Sequence, residues 1–324
     1  MFGVYVLELA GDDDEFAAYE AECAASAVEL LAPGLATARG ITDRLSDLAF
    51  THRASELVGR CEPTVGDARA LLTAATISRS GSVAVRAINV RGLTDIDTQA
   101  VERKLGSVLV DRGFTVDLDD PDHELRVLFS PDTCAVGWLA VEADRGFGSR
   151  QPGDRPFFQP GSMDPMLARA LVNIAGARPG ATVLDPMCGT GGLLLEAGLI
   201  GARAVGVDAQ EKMVTGTHQN LNAYLDGDWA VVRGDAASLP IAAEQVDTVV
   251  FDAPYGRQSK IAGDLNPLIR DALEEARRVA TRCVIVGDRP WAQVAHQTGW
   301  KTEASFERRV HRSLIRYITV LRGA

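Results

Sequence analysis

Lysine is almost missing from this chain. Only four of its 324 residues are lysine against 29 arginines, and 27 aspartates stand beside 17 glutamates. Aspartate excess with lysine depletion is the pattern of a protein that keeps its surface hydrated in concentrated salt, although a GC-rich genome also favours arginine over lysine. Cysteine is scarce too. Cys23, Cys61, Cys134, Cys188 and Cys283 are widely spaced and form no CxxC pair, which speaks against a disulfide framework and a zinc knuckle. The histidines (His52, His123, His218, His296 and His311) lie far apart and suggest neither a triad nor a metal set, so no metal is expected. No apolar run suits a membrane: the best, residues 191–207, is broken by Glu196 and Arg203, short of the roughly 18 apolar residues a span needs. The opening MFGVYVLELAGDDDE lacks a basic start and turns acidic at once, unlike a secretion signal. A reducing, cytoplasmic setting is the expectation, with no membrane contact and no obligatory protein partner in evidence.

What is present is an ordinary globular mixture, 46% hydrophobic and 24% charged. The length suits about two domains. The net charge of -11 is uneven: residues 1–155 carry 26 acidic and 15 basic side chains, whereas residues 156–324 carry 18 of each. Such a chain is a poor general binder of polyanions, because phosphate neutralisation dominates that affinity. Local clusters therefore matter more. Arg79, Arg86 and Arg91 form one candidate RNA contact; Arg308, Arg309, Arg312 and Arg316 form another. Any one of them is as well read as part of a solvated strand face.

Residues 2–9 alternate as a strand, and 15–31 follow with helical spacing before Pro33 and Gly34. A helix at 67–76, a strand at 82–90, a helix at 97–111 and strands near 125–130 and 134–142 complete an α+β pattern. The Gly-, Pro- and Arg-rich run 144–161 carries the boundary between a domain at 1–150 and one at 151–324. From 164 the rhythm becomes regular βα alternation. A helix at 164–175 has Asp164 as cap and Pro165 in its first turn. Strand 182–185, helix 191–200, strand 203–207, helix 210–225, strands 229–233 and 246–251, helix 264–280, strand 281–287 and helix 290–298 follow. Strands 302–310 and 313–321 close the chain. This order predicts an α/β fold, a doubly wound, mostly parallel sheet with a terminal antiparallel hairpin.

Four strand ends carry chemistry. In ATVLDPMCGTGGLLLEAG, residues 181–198, a buried strand ends at Asp185 and meets a turn with Gly189, Gly191 and Gly192. Glycines let the backbone approach a ligand, exposed amides at the helix start favour an anion, and Asp185 suits a cationic amine. Together they serve an amino-acid moiety. The dinucleotide fingerprint fails, because its third glycine would be Leu194, which disfavours a nicotinamide dehydrogenase. Asp208 ends the next strand and can accept both hydroxyls of a ribose. Gly234, Asp235 and Ala236 follow a third strand, where an acid can accept the 6-amino group of an adenine. In VDTVVFDAPYGRQS, residues 246–259, a strand delivers Asp252, Ala253, Pro254 and Tyr255. A carboxylate, a neighbouring carbonyl and an aromatic face fit a planar base with an exocyclic amine. Cys188 reads as a packing residue, and Trp138, Trp229, Trp291 and Trp300 as core or hairpin packing.

The trio DPMCGTGG, VGVDAQ and FDAPYG is similar to the S-adenosylmethionine-dependent methyltransferases of exocyclic amines. Residues 155–260 (RPFFQPGSMDPMLARALVNIA, GVDAQEKMVTGTHQNL, FDAPYGRQS) resemble the archaeal tRNA guanosine-10 2-amino methyltransferases. That resemblance covers about one third of the chain. It implies an N-terminal THUMP-type RNA-binding region before a Rossmann-like methyltransferase domain, S-adenosyl-L-methionine as cofactor and tRNA as partner. It also implies that the loop 157–162 lies over the cofactor's methionine end. The family usually has two prolines after the acid; here the first is Ala253, which keeps the carbonyl and loses stiffness. The same acid–Pro–Tyr logic serves adenine in RNA or DNA and the glutamine amide of proteins, and a non-catalytic RNA-binding subunit is the alternative of another class.

Overall fold

The computed structural model describes residues 2–254, 265–311 and 314–323. The chain divides into two compact units, Met1–Asp144 and Arg145–Ala324.

In the first unit, β1 (Phe2–Leu9), α1 (Asp14–Ala21), β2 (Ala25–Ser26), β3 (Glu29–Ala32), β4 (Leu35–Ile41) and β5 (Thr51–Cys61) precede α2 (Val65–Ala74). Then come β6 (Ser82–Asn89), α3 (Thr98–Val110), β7 (Thr115–Val116), β8 (His123–Ser130) and β9 (Thr133–Glu142). The strands form one sheet in the order β2-β4-β1-β5-β9-β8-β6-β7, with β3 also paired to β4. Helices α2 and α3 close over it: Leu72, Val101, Leu105 and Leu109 pack on Val85, Val127 and Val136. Each helix starts where a side chain replaces the missing turn. Thr64 Oγ1 accepts from Asp67 N–H at 3.1 Å, and Asp97 from Ala100 N–H at 3.0 Å.

The expected helix over 15–31 is corrected. It stops at Ala21, and residues 29–32 pair antiparallel with β4 across a tight turn at Gly34, whose φ is +77°. The alanine spacing is compatible with a helix, but sheet pairing after the turn satisfies the same backbone groups and overrides it. Residues 35–61 carry no predicted element and supply two strands of this sheet.

The second unit contains α4 (Pro165–Ala175), β10 (Thr182–Asp185), α5 (Gly192–Leu199), β11 (Arg203–Asp208), α6 (Glu211–Tyr224) and β12 (Trp229–Arg233). It continues with β13 (Thr248–Asp252), α7 (Leu265–Val279), β14 (Arg282–Gly287), α8 (Ala292–Gln297), β15 (Trp300–His311) and β16 (Leu314–Gly323). The sheet order is β12-β11-β10-β13-β14-β16-β15. The first five strands are parallel, and β16 runs antiparallel to both β14 and β15. This is the predicted doubly wound sheet with its terminal hairpin. Alternate residues of β11 enter different cores: Ala204 packs with Leu194, Leu195 and Leu221, whereas Val207 packs with Phe251, Ile269 and Trp291. The Asp164 carboxylate accepts from Met166 and Leu167 N–H, and Pro165 opens α4. Among the described residues, no helix is long and apolar enough to cross a membrane.

Candidate active site

Strand β10 is the third of the seven strands in its sheet, and the chain leaves it toward β11 on one side and returns as β13 on the other. Such a switch point opens a crevice at the carboxyl ends of the strands. Asp185, Asp208 and Asp252 are the last residues of β10, β11 and β13. The turn after β10 uses positive φ at Gly189 (+53°) and Gly191 (+77°), the latter starting α5. A Cβ on Gly191 would stand 2.6 Å from Thr217 Cγ2, so both its conformation and its surroundings demand glycine.

Side chains lock this turn. Asp208 accepts from Gly189 N–H and from Gln210 N–H, each at 2.9 Å. Thr217 Oγ1 donates to the Gly189 carbonyl at 2.7 Å. Asp185 accepts from Met187 N–H at 3.0 Å. A cavity of about 190 Å³ opens beside the turn, lined among others by Asp185, Gly189, Gly192, Asp252, Ser162 and Met163. Residues 157–162 are pinned to the turn. Asn220 accepts from Phe157 N–H at 2.8 Å and donates to the carbonyls of Phe157 (2.8 Å) and Thr190 (2.9 Å). Gln159 through Ser162 border the cavity.

Burial drives the electrostatics. It pushes the Asp185 carboxyl well above its ordinary value, against the bond from Met187 and with the nearby charges of Asp208 and Asp252 adding to the rise. Burial also raises Asp208, over the opposing pull of its two backbone bonds. Burial, with Asp185 and Asp208 alongside, raises Cys188, so its thiol stays protonated and packs. A cation placed among these carboxyls would restore their ionised forms. The acceptor set therefore fits a ligand with an ammonium group and ribose hydroxyls; Gly189 and Gly191 N–H already donate to Asp208 and to the Cys188 carbonyl, which leaves the amides at the start of α5 to fit a carboxylate. Among the described residues, no group of His, Cys, Asp and Glu suits a metal.

The sequence-predicted residues separate into several groups. Asp185, Gly189 and Asp252 line the cavity, and Asp208 is bonded to its wall. Asp235 and Ala236 lie beyond β12, at the same edge but outside that lining; Asp235 is exposed and accepts from Ala237 N–H at 2.9 Å. Ala253 is buried, and its N–H donates to Val286 O at 2.8 Å; Pro254 is half-buried. Tyr255 and Arg312 lie outside the described residues. The arginine clusters do not stand as patches. Arg79 pairs with Glu56 at 2.6 Å, Arg86 with Glu124 at 3.7 Å, and Arg91 with Asp14. Arg308 and Arg309 are consecutive in β15, so alternation turns them to opposite faces: Arg308 is half-buried and Arg309 exposed.

Arg316 is the largest departure from the sequence reading. It is 3% exposed, its Nη2 stands 3.6 Å from Asp252 Oδ2, and it donates to the Gly161 carbonyl at 3.3 Å. It stands behind two residues of the cavity lining, Asp252 and Gly161, and is buried rather than presented to solvent with Arg309. Asn220 was missed as well, although a signal exists: it occupies a buried-face position of α6, where an apolar residue would be the default. Behind the turn, buried Glu196 on α5 holds Arg150 (2.7 Å) and Arg169 (3.0 Å), fixing the segment before α4.

The match to known proteins follows the same edge. Residues 152–318 match the family model described as RMKL-like, methyltransferase domain. The tRNA (guanine(10)-N2)-dimethyltransferase of Methanothermobacter thermautotrophicus is 36% identical over 85% of this chain and 83% of its own. The protein of that name from Methanocaldococcus jannaschii is 33% identical over 75% and 71%. The crystal structure of TrmN from Thermus thermophilus superposes with a TM-score of 0.52 at 21% identity, covering 99% of this chain and all of that one, a likeness of fold.

Proposed function

The chain belongs to the RMKL-like methyltransferases and, among them, to the tRNA guanine-N2 methyltransferase family, and from that premise we propose how its residues carry the reaction. It is an S-adenosylmethionine-dependent enzyme that methylates the exocyclic 2-amino group of a guanosine in tRNA. The target we assign is position 10, following the names of the relatives, and the cytoplasm is its place of work. The first compact unit, expected at 1–150, is read as the THUMP-type RNA-binding domain and the second, expected at 151–324, as the catalytic domain.

Bound S-adenosylmethionine supplies a methyl group made electrophilic by its sulfonium. The protein's residues do the rest by placement. Asp185 accepts from the cofactor's ammonium and Asp208 from its ribose hydroxyls. The amides at the start of α5 would take its carboxylate, and Asp235 with Ala236 would serve the adenine. Asp252 accepts an N–H from the extruded guanine, with the Ala253 carbonyl as second acceptor; Pro254 shapes that hook and Tyr255 is assigned the stacking role. The amine's lone pair is delocalised into the ring, so it is a poor nucleophile until held close and in line. Placement of this kind supplies up to about 7–11 kcal/mol of barrier lowering in favourable systems. Asp252 need not be a strong base: as the acceptor already bonded to the amine N–H, its carboxylate would be placed to receive the proton that the methylated nitrogen gives up.

The observation that carries this reading is the meeting of Asp185 and Asp252 at one cavity beside Gly189, at the ends of adjacent parallel strands. Nucleoside mass spectrometry of a tRNA transcript incubated with labelled cofactor tests it. Label in N2-methylated guanosine, lost when position 10 is changed and lost in Asp252→Ala with cofactor affinity within a few-fold of the parent, is the expected outcome. Label in adenosine, or normal turnover by Asp252→Ala, refutes it.

A further inference from the structure

Three of the arginines that sequence alone offers for RNA are poor candidates, because Arg79, Arg86 and Arg91 each sit on a carboxylate, and Arg309 stands exposed without Arg308 beside it on the same face. An acidic chain that handles a polyanion must hold phosphates elsewhere. The C-terminal unit has a second cavity, of about 290 Å³, at the ends of α7, β14 and α8. Among the described residues its polar lining consists of Arg270, Arg289, Asn266, Gln293 and Gln297, with Trp291 and Pro290, and includes no carboxylate.

Both guanidiniums are oriented. Arg289 Cζ lies 4.7 Å from the Trp291 ring centroid, a cation–π contact on a side chain that is 1% exposed and fixed in the core. Arg270 Nη2 donates to Gln297 Oε1 at 3.2 Å. The acid facing Arg289 is Asp288, 4.0 Å away, and both side chains are substantially exposed, so the attraction is weak and screened. Trp291 is too deeply buried to stack on a base, so the pocket offers donors and positive charge rather than an aromatic platform.

Its location completes the argument. Arg289 follows the carboxyl end of β14, the strand paired with β13, in register Asp252 to Val286. Adjacent strands are about 4.8 Å apart, so this pocket and the Asp252 hook share one rim of the sheet. We propose that Arg270 and Arg289 form a binding site for a backbone phosphate of the RNA substrate, next to the nucleotide being methylated. Guanidinium forks match phosphate oxygens in pairs, and the three amide side chains add donors around them. The inference rests on the enzyme acting on tRNA.

The test is steady-state methylation and filter binding of tRNA over a range of KCl, with Arg270→Ala, Arg289→Ala, the double variant and the two lysine variants. Arg203→Ala is the control; Arg203 begins β11 at the opposite rim and is 55% exposed. The double variant should raise the KM for tRNA about tenfold or more in dilute salt while cofactor affinity by calorimetry stays within twofold. The slope of log affinity against log salt should fall by roughly 0.9 for one lost phosphate contact on duplex. Lysine at both sites should restore the salt slope in part. An unchanged KM and slope, or an equal loss in Arg203→Ala, overturns the proposal. If the parent binds tRNA through this pair yet transfers no methyl group, the phosphate site stands and the catalytic reading fails; methylation indifferent to the pair has the opposite meaning.

Discussion

Asn220 holds the wall of the cavity beside the glycine turn with three hydrogen bonds at 2.8–2.9 Å, and it is fully buried. Replacing it with alanine removes all three. A neutral bond contributes about 1 kcal/mol net, so the segment at Phe157 should lose about 3 kcal/mol of its preference for its place against the glycine turn. The Phe157 ring cannot compensate by settling deeper, since it already lies so close to Gly216 that a Cβ there would be 2.0 Å from its Cδ1. If the loss is confined to the segment, the fraction of protein competent to bind S-adenosylmethionine falls by up to about 150-fold, and apparent affinity falls with it. If it is shared by the whole unit, the melting temperature drops by about 6–12 °C. Asn220→Asp separates these bonds by sign. It keeps an acceptor for Phe157 N–H but sets a carboxylate against the carbonyls of Phe157 and Thr190. Calorimetric titration with the cofactor and a thermal melt of each variant are the assays, and Asn220→Asp should be no better than Asn220→Ala in either. Wild-type affinity and melting temperature in Asn220→Ala, or tighter binding by Asn220→Asp, would refute the role of this residue.

Arg316→Met should lower kcat by about 10–100-fold with the KM for tRNA little changed, because it frees Asp252 and Gly161 together, and Arg316→Lys should recover part of the loss; a pure KM effect in single-turnover kinetics would return Arg316 to RNA binding. Burial raises the Asp185 and Asp208 carboxyls, so without cofactor the folded protein favours their protonated forms. Their contribution to stability is therefore full below the unfolded carboxyl range, near pH 4, and declines as pH rises through the raised folded values. Cofactor affinity should run the other way, rising over that window with net proton release; calorimetry in two buffers of different ionisation enthalpy measures this, and proton-neutral binding would contradict it.

The catalytic edge was legible in the sequence because its signals are local. Positive φ at Gly189 and Gly191, the cap at Asp164 and an acid at the end of each of three apolar strands are all set within a few residues. The N-terminal sheet was less legible: residues 29–32 become a strand only because β4 lies alongside, and nothing within 15–31 says so. Charge was the least legible property. Arg316 and Asp252 are far apart in sequence, and the carboxylates on Arg79, Arg86 and Arg91 all come from other elements. A run of like charges in a sequence therefore says little about a surface until the strands that supply the opposing charges are known.

The site also resolves a conflict between two ligands of opposite sign. On the proposed reading Asp185 and Asp208 receive a cationic cofactor and Asp252 the base, and the same carboxylates repel the phosphates of an RNA brought to that crevice. Screening sets how far the repulsion reaches: about 8 Å at physiological ionic strength and about 3 Å in molar salt. A base inserted toward Asp252 brings its own backbone within that range in dilute solution. A donor pocket one strand away, free of carboxylates among the described residues of its lining, would hold the phosphate without moving the acids assigned to the cofactor. The aspartate-rich, lysine-poor composition fits the same arrangement. If it reflects work in concentrated salt, the net charge of -11 ceases to act at a distance, and counterion release contributes less to affinity. Direct contacts such as Arg270 and Arg289 must then carry the binding of RNA, whatever the overall sign of the chain.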